Sequence, residues 1–330
     1  MTTQQVTISG RIRPTALESM ITRDTGPITL DMVIDETDSK DADQWYAYIR
    51  SLLGMSHRPG AWLTLPDDND KLRKGPTPGA GLTLSPADEL VALLSSLDDD
   101  QLERIGAVVG VSGRTEILLW ALRMNPCPRS TAGCRHACVI RTAGNNRFPS
   151  TVRGRAARTL TLLTEPLYAA RLTVDRIDKF AKIVGPGGGV IRAGVGDDIR
   201  AEIYMPAMLE AAAAAGLGAH AYTKWDVRQR PDNGLVHLTR SATGEGGRWN
   251  WASIIDHARR GHNVAVALRI GRGRPLPRSI GGVPVVDGDA SDNRCADPIG
   301  CIVGLRAKGA AIGSGSAFLF DVPTDLPVVW

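Results

Sequence analysis

From residue 117 onward, short apolar runs alternate with stretches of helical spacing, which restricts this part of the chain to a mainly parallel β-sheet covered by helices. The runs that read as strands are ILLWALRM, GVIRAG, GAHAYTK, LVHLTR, NVAVALRI, VPVVDG, CIVGLRAKG and AFLFDV. Between them lie helical patterns such as RGRAARTLTLL, PLYAARLTVDRIDKFAKI, YMPAMLEAAAAAG and NWASIIDHARRG. Eight runs of this kind fit a TIM-barrel-like α/β fold. Little helix separates the last three, so an incomplete or distorted β/α barrel is expected.

Residues 1–75 read as an N-terminal accessory region, with a β-like run ITLDMVI and a helix over KDADQWYAYIRSLLG. A Pro/Gly connector, KLRKGPTPGAG, leads into an α/β catalytic core over residues 76–330. The core opens with SPADELVALLSSL, where Ser85 suits the N-cap and Pro86 the first helical position. A second helix, DDDQLERIGAVVG, follows with acids at its amino end, where the helix dipole favours them. The chain has no run of about eighteen apolar residues, so no membrane partner is expected, and the polar start MTTQQVTISGRIRPT points to a cytoplasmic protein.

In a parallel sheet, chemistry gathers at the carboxyl ends of the strands. Reading each run to its end places Cys127, Asp197 and Asp198, Lys224 and Asp226, Arg240, Asp287, Asp289 and Asp292 at one edge. GVIRAGVGDDIRAEIY delivers two consecutive carboxylates after a flexible turn, with Glu202 four residues beyond Asp198. Once a helix has begun, that spacing puts both on one face, where their pKa values are driven apart for general acid and nucleophile work. The same residues also fit a helix N-terminus carrying solvated acids.

In HAYTKW, strand alternation sends His220, Tyr222 and Lys224 to one face, with Lys224 placed for a phosphate or a carboxylate. VDGDASDNR offers Asp289 and Asp292 for substrate or a divalent cation, or forms a solvated turn. RTAGNNRFPSTVRGRAAR sets Arg147, Arg153 and Arg155 beside Phe148, which suits phosphate contacts and base stacking as well as an exposed helix face. GPGGGV lacks the Lys-Ser/Thr ending of a phosphate loop and reads as a turn. The formal charge of +4 is compatible with a polyanionic partner such as DNA, and only seven of the 39 basic residues are Lys. A GC-rich coding sequence produces the same arginine bias.

Three of the five cysteines, Cys127, Cys134 and Cys138, fall within MNPCPRSTAGCRHACVIRTAG. Thiolates at such spacing suit zinc or an iron–sulfur cluster, and an odd total argues against a closed disulfide framework.

Together, KLRKGPTPGAGLTLSPAD, CPRSTAGCRHAC, VIRAGVGDDIRAE, AHAYTKW, GHNVAVALRI and VDGDASDNRCADPIGCIVGLRAKG resemble a family of phage-encoded proteins over roughly residues 70–320. The chain is also similar to the DpdA-like DNA guanine transglycosylases, relatives of the tRNA-guanine transglycosylases that exchange guanine for a 7-deazaguanine base. That resemblance implies a β/α barrel in which Asp198 attacks C1′ and expels guanine. Asp197 or Glu202 would move protons, and Cys127, Cys134, Cys138 and His136 would hold structural zinc. DNA and a small deazapurine base are then the partners. Two alternatives stand beside it: chemistry resembling that of radical S-adenosylmethionine enzymes, with three cysteines on an iron–sulfur cluster, and a zinc-stapled nucleic-acid-binding module.

Overall fold

The structure, a computed structural model, describes residues 16–22, 26–55, 62–64, 77–142, 148–195, 197–226, 236–247, 249–291, 293–312 and 316–330. Nine strands form one mixed sheet: β1 Gly79–Gly81, β2 Val190–Arg192, β3 Gly218–Thr223, β4 His237–Ala242, β5 Asn263–Leu268, β6 Ser279–Ile280, β7 Val283–Asp287, β8 Ile302–Arg306 and β9 Val328–Val329. Their order is β1-β2-β3-β4-β5-β8-β7-β6-β9. The first seven in that order run parallel, and β6 lies antiparallel to both β7 and β9.

The expectation of a mixed α/β fold built on parallel strands is met. Closure into a barrel is not: among the described residues no pairing joins β1 to β9, and the outer side of β1 carries only an antiparallel bridge from Thr64 to Gly81. No single described helix is long and apolar enough to cross a membrane.

Three runs fold otherwise than expected. ILLWALRM lies in and just beyond the helix Arg114–Arg123, which buries Ile117, Trp120 and Ala121 at i, i+3 and i+4 and leaves Leu119 and Leu122 exposed. Apolar residues on both faces mask that period in the sequence. ITLDMVI is helical over Leu30–Glu36, started by Thr29, whose hydroxyl accepts the Met32 N–H at 3.4 Å. AFLFDV contributes only the bridge from Phe320 to Leu268. Conversely, β1 is the strand Gly79–Gly81, inside what reads as a connector. A Cβ at Gly81 would meet Val195 Cγ2 at 2.5 Å, so close strand approach requires glycine there.

The remaining helical patterns hold, over Ser39–Leu52, Ala87–Ser95, Asp99–Val109, Pro149–Thr164, Pro166–Val184, Pro206–Ala214 and Trp251–Arg259. Pro86, not Ser85, takes the N-cap of Ala87–Ser95, and the Ser85 hydroxyl donates to Glu89 Oε1 at 2.8 Å. GPGGGV is a turn that ends where β2 begins.

One apolar cluster joins Leu17, Ile28, Val33, Ile49 and Trp62 near the N-terminus to Leu160, Ile177, Ile191 and Met208 of the α/β part. β5, in the middle of the sheet, is buried along its whole length, as expected for a strand covered on both faces. The parallel register then leaves one shared edge where the carboxyl ends of β2, β3, β4, β5 and β8 meet.

Candidate active site at the strand ends

Residues 126–142 run along that edge as a strap, and their contacts follow the spatial order of the strands. The Pro126 carbonyl accepts the Asp198 N–H at 2.8 Å beyond β2. The Arg129 guanidinium lies over Trp225 beyond β3, 4.4 Å from the ring centroid. The Gly133 N–H donates to Glu245 Oε2 at 2.6 Å beyond β4. Ala137 packs in a cluster with Ala267 of β5 and with Ala307, which follows β8. Finally, Thr142 Oγ1 accepts the Ala310 N–H at 3.2 Å. Glu245 holds the strap through the Thr131 hydroxyl and Gly133, and these bonds keep its carboxyl below the usual range.

Beneath the strap, the turn after β2 delivers Asp197 and Asp198, both buried. Gly194 makes this turn at φ 86°, and a Cβ there would sit 2.6 Å from Asp197 Oδ1. Asp198 is fixed at three points. Its N–H is held by Pro126, its carbonyl accepts Trp225 Nε1–H at 3.1 Å, and its Oδ2 accepts the Lys224 N–H at 2.8 Å.

The Lys224 side chain faces Cys134, Asp198 and Cys127. Burial alone would lower its ammonium, but these neighbours, Cys134 foremost, reverse the direction and push it up. Burial, and then Asp197, drive the Cys127 thiol well above its ordinary value. Of the expected residues, the fold therefore brings together Asp197, Asp198, Lys224, Cys127 and Cys134.

Others fall elsewhere. The helix after Asp198 begins only at Ala201, so Asp198 and Glu202 do not share a helical face. Arg155, 1% exposed, is committed to Glu89 through bonds of 2.9 and 2.6 Å and does not face a polyanion. Arg153 lies on the same helix, and Phe148 stands exposed at its N-cap. Tyr222 lies under the Arg192 guanidinium at 4.9 Å, with the His220 ring edge-on at 6.0 Å, consistent with one face of β3. Asp289 is tied to Arg306 and Lys308, which neutralise it. Arg147 and Asp292 lie outside the described residues.

Cys134 lies within electrostatic reach of both Cys127 and Cys138, and His136 is exposed; among the described residues no three His, Cys, Asp or Glu side chains are grouped to hold a metal. The cation that faces Cys134 and Cys127 is the Lys224 ammonium. Cys295 and Cys301 lie at the opposite end of the sheet, with Cys295 Sγ donating to the Ala219 carbonyl at 3.3 Å and Cys301 preceding β8. Cys295 is exposed as a residue, but partial desolvation of its sulfur, and then Asp297, push the thiol up to about 11. Its alkylation by iodoacetamide at pH 8 should run about 100-fold slower than that of an ordinary thiol, as read by mass spectrometry. A rate within threefold of free cysteine would contradict that environment.

Sequence reasoning missed Trp225, Arg129, Arg200 and Glu18. Arg200 also lies over the Trp225 ring, at 4.6 Å, and pairs with Glu18, both residues being 0% exposed. Trp225, next to Lys224 at a strand end, was the available signal for this group.

No curated protein and no solved structure matches the chain. The model of the Gene product 88 family matches residues 63–320, which include the whole strap and every strand end beneath it. The chain therefore belongs to the Gene product 88 family of phage-encoded proteins.

Proposed function

We propose that this protein exchanges guanine in DNA for a 7-deazaguanine base, with Asp198 as nucleophile. The observation that carries the reading is the three-point fixation of Asp198 at the carboxyl edge of a parallel sheet. A carboxylate held in this way loses little freedom on reaching an attack geometry. Exposed Arg129 and Arg135 on the strap above it suit a phosphate backbone, whereas Arg141 pairs with Asp88.

In the first half-reaction, Asp198 attacks C1′, the C1′–N9 bond breaks, and guanine leaves with a proton supplied by Asp197. In the second, the incoming deazaguanine gives its ring N–H proton to Asp197, bonds to C1′ and displaces Asp198. Two displacements retain the configuration at C1′, as in the retaining glycosidases. The target base must leave the stack before C1′ is accessible. Lys224, beside Asp198, sets a positive charge next to the carboxylate.

Base exchange is tested by incubating the protein with guanine-containing single- and double-stranded DNA and labelled guanine or 7-deazaguanine bases. Label in DNA, with equimolar release of guanine, is the expected result. Absence of label with every base on both DNA forms would overturn the reading.

A further inference from the structure

The Trp225 indole is approached by two guanidinium groups of opposite character. Arg200 is fully buried and paired with Glu18, whereas Arg129 is exposed on the strap. Their distances to the ring, 4.6 and 4.4 Å, are those of stacked cations. The indole also donates to the Asp198 carbonyl, so the stack is fixed to the backbone of the candidate nucleophile. Arg129 itself is two residues from Cys127, at the start of the strap.

We propose that the exposed face of Arg129, supported from below by Trp225, is the platform on which an unstacked nucleobase of single-stranded or locally opened DNA lands. This deepens the reading above and rests on it for the identity of the polymer. A guanidinium is planar, and its face stacks on a base much as an aromatic ring does, while its edge donors remain available to a phosphate or to guanine O6 and N7. Trp225 holds that plane in one orientation, which lowers the ordering cost on binding. The connection from Trp225 to Asp198 then places the seated nucleotide in the same opening as the carboxylate.

The test compares two short single-stranded DNA oligonucleotides, one with a central guanine and one with an abasic site at that position, by fluorescence anisotropy on the full chain. The wild type is expected to prefer the guanine-bearing strand by about tenfold, the size of one base-stacking contribution. Arg129→Ala and Arg129→Lys should both lose this preference, since lysine keeps the charge but not the plane. Arg129→Lys, which keeps the charge, should bind the abasic strand more tightly than Arg129→Ala does. Unchanged thermal melting would show that the variants are folded, as expected for an exposed residue. If both variants keep the preference, the platform is wrong and the nucleic-acid reading stands. If the wild type binds neither strand, the nucleic-acid reading fails and the platform with it.

Discussion

Asp198→Asn is expected to abolish base exchange, lowering the rate at least about a thousandfold, with the fold intact. The amide is nearly isosteric and keeps an oxygen to accept the Lys224 N–H, and the Pro126 and Trp225 bonds involve only the backbone of residue 198. What is lost is the negative charge and the nucleophilic oxygen. Charge loss also removes one of the groups that raise Lys224, so the ammonium should titrate lower in the variant than in the wild type. Single-turnover exchange on DNA reads the first effect, and chemical-shift titration of a labelled lysine reads the second. Exchange at more than a tenth of the wild-type rate would remove Asp198 from the nucleophile's role.

Glu18→Ala is expected to cost about 3–5 kcal/mol of stability, because it strands the Arg200 guanidinium in a fully buried site. Glu18 Oε1 accepts the Arg200 backbone N–H at 2.9 Å and its Nε–H at 3.3 Å, and Oε2 accepts Nη2–H at 3.1 Å. Three bonds are lost together, and water cannot replace them without opening the core. Urea or thermal melting measures the loss. A change below about 1 kcal/mol would mean that the pair is solvated in the native state. Because Arg200 also lies over Trp225, the same change should loosen the indole that holds the Asp198 carbonyl.

Strands whose apolar residues are β-branched or flanked by clear turns were readable: β3, β5, β7 and β8 appear where GAHAYTK, NVAVALRI, VPVVDG and CIVGLRAKG stand. β1 was not, because GAG carries no side chains that favour a strand and its pairing depends on close packing against Val195. The helix Arg114–Arg123 was read as a strand because its exposed Leu119 and Leu122 erase the helical period. At the site, the strand-end rule found Asp197, Asp198 and Lys224, whereas Cys127 reaches the same edge on the strap that follows a helix, not at the end of a strand. The rule could not find Glu18, which lies 182 positions from Arg200 along the chain. Nor could spacing show that Arg155 is neutralised by Glu89, since partner choice is a tertiary fact.

The strap has a consequence for the order in which the molecule matures. Its anchors lie far downstream: Gly133 waits for Glu245, 112 residues later, and Thr142 for Ala310, 168 residues later. A polypeptide emerging from the ribosome can form the early helices by short-range contacts, but the strap cannot settle along its whole length until β4 and β8 have been made. The strap-covered edge is thus the last part of the molecule to assemble, and a chain interrupted before residue 310 would carry Asp198 without its complete cover.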